Sequence, residues 1–209
     1  MSTYKVGFIG GGNMARALAG GLVSSGYPPG LLMIADPDER RRAILEHDLP
    51  GVTITADNDA VATAADCLVL AVKPQLMRAV CESLSAAVQA SRPLIISVAA
   101  GTHSRDIDDW LGAELPVVRV MPNQPALLLE GASGMYANEL TTNEQRDRAT
   151  EIISAVGSVV HVHDEDMIDA VTAISGTGPA RVYGPAGKLL GLGELDAAKL
   201  LKPKRIFNL

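Results

Sequence analysis

Hydrophobic residues along the chain form short apolar runs that alternate with longer amphipathic stretches. Apolar runs of four to six residues, rich in Val, Ile and Leu, are typical of strands that are covered on both faces of a sheet. The predicted strands are residues 5–9, 32–35, 52–55, 67–72, 94–98, 117–121, 132–136 and 158–162. Their alternation with amphipathic stretches predicts a parallel sheet with helices on both faces.

The stretches between these strands have apolar positions at helical spacing. The predicted helices are residues 13–24, a charged helix from 38, and residues 74–88, 104–111 and 142–156. Pro74 stands where a helix can begin, because the missing N–H costs nothing in the first turn. Alternating strands and helices predict an α/β fold, a Rossmann-like, doubly wound and mostly parallel sheet over residues 1–162.

Composition narrows the class of protein. Hydrophobic residues make up 47% of the 209 positions and charged residues 20%, as in folded globular proteins. The net charge of −6 and an aromatic content of 3% disfavour a nucleic-acid surface or an anionic membrane surface. The apolar runs are too short to span a bilayer. Two cysteines without CxxC spacing indicate no metal site and a reducing compartment, so a cytoplasmic location is expected.

A glycine-rich loop follows the first predicted strand. It reads Gly10-Gly11-Gly12-Asn13-Met14-Ala15 and leads into a helix, which matches G-x-G-x-x-A in a strand–loop–helix context. Gly10 permits a tight turn, Gly12 lets the backbone approach a pyrophosphate, and Ala15 lets the helix pack closely. The motif therefore predicts a dinucleotide site, although a glycine-rich turn without a ligand is the alternative interpretation.

The end of the second strand gives conflicting signals about the cofactor. Asp36 lies where an acid bonds the ribose 2′-OH of NAD, whereas Arg40, Arg41 and Arg42 follow where an arginine holds the 2′-phosphate of NADP. A helix cap is the structural alternative for Asp36. A solvated helix face is the alternative for at least two of the arginines. The sequence leaves NADP and NAD both open.

Four later segments accompany the glycine loop. They read Ala-Val-Lys-Pro at 71–74, Ser-Val-Ala-Ala-Gly at 97–101, Arg-Val-Met-Pro-Asn-Gln-Pro-Ala at 119–126 and Ser-Gly-Thr-Gly-Pro-Ala at 175–180. In this order over residues 4–180, they resemble the pyrroline-5-carboxylate reductase family. The resemblance implies a Rossmann domain followed by a helical dimerisation domain. It also implies NAD(P)H-dependent hydride transfer to the imine carbon of 1-pyrroline-5-carboxylate, which gives L-proline, and homodimers or higher oligomers.

The resemblance also implies roles for single residues. Asp36, with Asp38 beside it, would face the adenosine ribose, and Asn58 would lie along the cofactor. Residues 71–74 would pass beneath the ribose and diphosphate of the cofactor. Residues expected to act at the reacting end are Lys73, Asn123 and Thr177. The cofactor-binding residues implied in this way are Ile9, Gly10, Gly11, Gly12, Asn13, Met14, Asp36, Asn58, Ala71, Val72, Lys73, Pro74, Val98, Ala99 and Ala100.

The sequence departs from the family in two ways. Gln124 replaces the usual threonine, and Thr177 replaces serine or another small residue. Residues 163–180 are expected to begin the helical domain. The tail that follows, residues 181–209, carries a net charge of +4. Its glycines disfavour a long helix, so only 194–201 is predicted helical. A truncated or frame-shifted gene with impaired activity would explain this tail. The alternatives are a non-catalytic dinucleotide-binding module and an interaction protein that uses the basic tail.

Overall fold

The computed structural model describes residues 4–112, 114–122, 131–168, 180–183, 189–195 and 201–206. An eight-stranded sheet occupies most of this range. Its strands are β1 (Val6–Ile9), β2 (Leu32–Ala35), β3 (Thr53–Thr55), β4 (Cys67–Leu70), β5 (Leu94–Ser97), β6 (Val117–Met121), β7 (Gly131–Ala137) and β8 (Gly157–His161). The strand order is β3-β2-β1-β4-β5-β6-β7-β8. The doubly wound, Rossmann-like sheet predicted from the sequence is thus confirmed.

In the described part of the chain, six α-helices connect these strands. They are α1 (Asn13–Ser24), α2 (Glu39–Asp48), α3 (Asn58–Ala64), α4 (Pro74–Ser91), α5 (Ser104–Leu111) and α6 (Asn143–Ser154). Pro74 occupies the first turn of α4, as predicted. Helix α3 is not among the helices predicted from the sequence. Among the helices of the described ranges, none is long and apolar enough to cross a bilayer.

Two hydrophobic layers cover the two faces of the sheet. Successive side chains of a strand point to opposite faces. Cys67 and Val69 of β4 therefore join the layer formed by α1 and α6, while Leu68 and Leu70 join the layer formed by α3, α4 and α5. All four residues of β4 are buried. This double coverage explains why the strand is a continuous apolar run rather than an alternating one.

The last two strands of the sheet, β7 and β8, run opposite to β1–β6. β7 runs antiparallel to β6, while β8 pairs parallel to β7. The link between Met121 and Gly131 is shorter than the dozen or so residues that a parallel crossover needs. The chain therefore returns antiparallel, and the parallel part of the sheet ends at β6.

The tail forms strands where the sequence predicted a helix. Three antiparallel strands, β9 (Ala180–Tyr183), β10 (Leu189–Leu195) and β11 (Leu201–Ile206), pair in the order β11-β10-β9. The helix predicted at 194–201 is wrong at residues 194, 195 and 201, which belong to strands, and the rest of that range lies outside the described residues. Backbone pairing of β10 with both neighbours satisfies its hydrogen bonds without a helix.

Candidate functional site

The candidate site lies where the strand order of the sheet reverses. β1 pairs with β2 on one side and with β4 on the other, so the connections after β1 and β4 leave the sheet in opposite directions. Open α/β sheets bind ligands at the carboxyl ends of strands that flank such a switch point. Here the glycine loop after β1 and residues 71–73 after β4 border a cavity of about 590 Å³.

The first glycine of the loop is required by its backbone conformation. Gly10 has a φ of 92°, a region that side chains disfavour. A Cβ atom there would lie 2.8 Å from the carbonyl oxygen of Ala71. The Gly10 N–H donates to the carbonyl of Ala35 at 2.8 Å, which ties the loop to β2. The tight turn predicted for the first glycine of the motif is therefore present.

Gly12 leaves open space beside the start of α1. A Cβ atom at this position would meet no atom within 4 Å in the described structure. Gly12 is also the N-cap residue of α1, and no side chain caps the helix there. The first-turn N–H groups and the positive end of the helix dipole therefore face a cavity with room for an anion. The loop fits the diphosphate of a dinucleotide.

Most of the predicted cofactor residues surround this cavity. Those that line it are Ile9, Gly10, Gly11, Gly12, Asn13, Asp36, Asn58, Ala71, Val72 and Lys73. Met14 instead packs against the core beneath α1. Pro74 starts α4, and residues 98–100 follow β5 at the same edge of the sheet. Asn123 and Thr177, predicted at the reacting end, lie outside the described residues, as does Gln124.

The two acidic residues predicted at the ribose have other partners in the structure. Asp36 lines the cavity, but its carboxylate is buried and accepts hydrogen bonds from the N–H groups of Gly11 at 2.7 Å and Asp38 at 2.9 Å. Asp38 is the N-cap residue of α2 and accepts from the N–H groups of Arg40 and Arg41. The helix cap considered for Asp36 is thus formed by Asp38, which also lines the cavity, so its contact with the ribose stays a prediction.

Several residues at the cavity were missed from the sequence. They are Arg16, Pro37, Ile44, Leu45, Leu76 and Val80. Ile44 and Leu76 are about half exposed, at 52% and 54%, which is unusual for large apolar side chains. Helical spacing could have indicated Ile44, because it lies one turn after Arg41.

A second polar cluster joins the sheet to the segment after β8. The Arg119 guanidinium on β6 is buried, and its Nη1 lies 2.9 Å from the Glu165 carboxylate. Ser104, at the start of α5, donates its N–H and its hydroxyl to the same carboxylate at 2.6 and 2.7 Å. Burial of Glu165 opposes ionisation, but the bonds from Ser104 and Arg119 outweigh it and hold the Glu165 pKa below its ordinary value.

Comparison with known proteins decides the family. Residues 5–101 match the sequence model of the family described as NADP oxidoreductase, coenzyme F420-dependent. The pyrroline-5-carboxylate reductase of Pseudomonas aeruginosa is 44% identical over 206 residues, which cover 96% of this chain and 75% of that protein. The chain belongs to the pyrroline-5-carboxylate reductase family. It is an oxidoreductase of the NAD(P)-dependent, Rossmann-fold class.

Solved structures agree with this assignment. A pyrroline-5-carboxylate reductase from Coxiella burnetii superposes with a TM-score of 0.81 at 39% identity and covers 85% of this chain. The Plasmodium falciparum pyrroline carboxylate reductase, solved with NADP bound, superposes with a TM-score of 0.72 at 27% identity and covers 84% of this chain. This chain spans 65% and 63% of those two proteins.

The C-terminal part of the chain also matches the sequence model of a second family. Residues 168–207 match the sequence model of the C-terminal region of pseudouridine synthase II TruB. The matched range includes the three strands β9 to β11. The match begins at residue 168 and so includes the Ser-Gly-Thr-Gly-Pro-Ala segment at 175–180, while the similarity to the Pseudomonas aeruginosa reductase extends over 96% of this chain.

Proposed function

We propose that this protein reduces the C=N bond of 1-pyrroline-5-carboxylate to give L-proline, with NADPH or NADH as the reductant. The observation that carries the proposal is the cavity at the switch point, where the glycine loop after β1 faces residues 71–73 after β4. This arrangement fits a dinucleotide in a chain whose relatives are pyrroline-5-carboxylate reductases.

Residues of the glycine loop would hold the diphosphate. The N–H groups of the first turn of α1 point towards the open space beside Gly12 and would donate to phosphate oxygens. Asn58, the first residue of α3, lines the same cavity and would contact the adenosine end. Residues 98–100 would border the nicotinamide, since they follow β5 next to the end of β4.

The reaction requires that the substrate is positioned against the nicotinamide, and it does not require a strong base. The reduced nicotinamide supplies a hydride, and the carbon of the protonated imine is already electrophilic, so hydride addition gives the neutral secondary amine directly. The chain has to hold that carbon in reach and exclude water. Lys73 is exposed, lines the cavity and precedes α4, and its ammonium group would stabilise an anionic substrate there. Asn123 and Thr177 are proposed to complete the reacting end.

The organisation of the chain is part of the proposal. Residues 1–162 would form the dinucleotide-binding domain, 163–180 the beginning of a helical segment and 181–209 a separate basic tail. The relatives' family leads us to propose a homodimer or higher oligomer with no nucleic-acid or membrane partner. The two buried free cysteines and the biosynthetic, reductive chemistry support a cytoplasmic location.

A second candidate is a dinucleotide-binding module without hydride transfer. It is favoured by the fact that the residues lining the described cavity are those expected for the cofactor. Such a module would bind NADPH with the same glycine loop and leave 1-pyrroline-5-carboxylate unreduced.

One paired experiment separates these functions. Binding of NADPH and NADH to the full 209-residue chain is followed by the fluorescence of the reduced nicotinamide, and turnover by its oxidation on addition of 1-pyrroline-5-carboxylate. Binding with turnover and formation of proline supports the reductase. Binding without turnover supports the module, and failure to bind either nucleotide refutes both.

A further inference from the structure

The Asp36 carboxylate is held by the protein itself. Its side chain is only 2% exposed. One oxygen accepts from the Gly11 N–H at 2.7 Å and from the Arg41 guanidinium at 3.1 Å, and the other accepts from the Asp38 N–H at 2.9 Å. Three of the roughly four acceptor positions of the carboxylate are thus used within the protein. Asp36 therefore fixes the glycine loop and orients Arg41, and it is poorly placed to select NADH.

The three consecutive arginines of α2 have different surroundings. Arg42 donates to the carbonyl groups of Asp36 and Pro37, both at 2.9 Å, and thereby holds the chain after β2. Arg40 is exposed and does not line the cavity. Arg41 lines the cavity with a side chain that is 49% exposed. In the described structure, its guanidinium contacts Asp36 through Nη1.

Two exposed apolar residues mark where the adenine would lie. Ile44 follows Arg41 by one turn of α2, and Leu76 lies in the first turn of α4 across the cavity. Both side chains are about half exposed in the ligand-free fold, although burial of their apolar surface would be favourable. A flat aromatic ring between them would cover both. The ribose of that adenosine would then be next to Arg41.

We propose that Arg41 receives the 2′-phosphate of NADPH and makes this protein prefer NADPH over NADH. The proposal rests on the proposed function, in that the cavity must bind a nicotinamide dinucleotide. The Arg41 guanidinium has five N–H donors and can bond Asp36 and a phosphate at the same time. The ion pair with Asp36 also neutralises a carboxylate that would otherwise repel the phosphate.

The test compares two charge-matched variants of neighbouring residues. Arg41→Gln removes the proposed phosphate ligand, and Arg40→Gln removes the same charge from the same helix outside the cavity. Dissociation constants are measured for NADPH and NADH, and for adenosine 2′,5′-bisphosphate and AMP, which require no hydride transfer. Thermal unfolding of each variant shows whether it is folded.

The expected result is a loss of about 10- to 100-fold in affinity for NADPH and for the bisphosphate in Arg41→Gln, the range for a hydrogen bond to a charged group. Affinity for NADH and AMP should change less than about threefold, and Arg40→Gln should resemble the parent chain. Arg41→Lys should recover part of the loss, because it restores the charge without the planar fork.

Three results would overturn the proposal. Equal losses for NADPH and NADH in Arg41→Gln would mean that Arg41 acts through Asp36 and the glycine loop. Equal effects of Arg40→Gln and Arg41→Gln would mean a general charge effect. A parent chain that binds NADH as tightly as NADPH would refute the preference itself, whereas a chain that binds none of the four nucleotides would refute the proposed function as well.

Discussion

The buried ion pair between Arg119 and Glu165 gives a prediction that can be worked through in energy. Glu165 lies 46 residues beyond Arg119 in the chain and joins the segment after β8 to β6 and to the start of α5. Replacing Glu165 by Gln removes the negative charge and keeps the shape, with an oxygen that can still accept from the Ser104 N–H and from Arg119. The amide NH2 then stands in the place of Oε2, where the Ser104 hydroxyl can accept a hydrogen bond instead of donating one. The variant therefore tests mainly the contribution of the charge.

The magnitude follows from the three hydrogen bonds that the carboxylate accepts. A bond to a charged group is stronger than a neutral one by about 1 kcal/mol, so three bonds give about 3 kcal/mol. Desolvation offsets part of this, because the Glu165 side chain is only 17% exposed. The expected loss in free energy of unfolding for Glu165→Gln is therefore about 1 to 2 kcal/mol.

The stabilisation of the fold by the Glu165 carboxylate depends on pH. The Glu165 pKa in the folded protein lies below its ordinary value of 4.5. The charged form therefore stabilises the fold fully above that value, and the contribution is lost as the pH falls through the lower folded pKa. The stability difference between the parent chain and Glu165→Gln should be largest near neutral pH and should vanish in acid.

Urea unfolding at a series of pH values measures this difference. Trp110, the one tryptophan of the chain, lies in α5 and reports on the helix whose first residue contacts Glu165. Glu46→Gln is the matched control, since Glu46 is exposed and the substitution changes the net charge equally. A stability difference that stays constant from acid to neutral pH, or that Glu46→Gln reproduces, would refute the reasoning.

Three further predictions concern other parts of the fold. Gly12→Ala should lower the free energy of unfolding by about 1 kcal/mol or less but weaken NADPH binding more than about tenfold, because the new methyl group enters the space for the phosphate. Gly30 also borders open space, so Gly30→Ala is the control and should change neither quantity. Thermal unfolding measures the stability and nucleotide titration measures the binding. Burial raises the pKa of Cys67 and Cys81 to about 12, so neither thiol should react with a disulfide reagent at about pH 8 until urea unfolds the chain; rapid labelling of native protein would contradict this. Thr142→Ala removes the capping box of α6 and should lower the free energy of unfolding by about 1 kcal/mol in urea titrations, whereas no change would show that the cap is dispensable.

Local sequence patterns predicted most of the main sheet and its helices. The bounds of α1, α5, β2 and β6 agree with the structure because each is set by residues within the element or beside it. Glycines precede α1, and a proline follows the Asp36 that ends β2. Helix α3 was missed because its seven residues, mostly small, provide too short a periodic pattern.

The glycine motif likewise predicted the cavity, since a strand, a tight turn and a helix N-terminus are all local features. The role of Asp36 was not accessible in this way. Its position in the sequence is that of a ribose ligand, but its contacts with Gly11 and Arg41 depend on how α2 docks beside the glycine loop. The sequence leaves the choice among three arginines open, and the packing of α2 resolves it in favour of Arg41 at the cavity.

The chain by itself therefore determined the elements, the sheet class, the glycine loop and the resemblance to a reductase family. The tertiary structure alone decided the antiparallel course of β7, the strands of the tail and the pairing of Arg119 with Glu165. These features depend on contacts between residues that are far apart in the chain. Such contacts form only when the elements have packed, because the burial that makes them strong does not exist in any isolated segment.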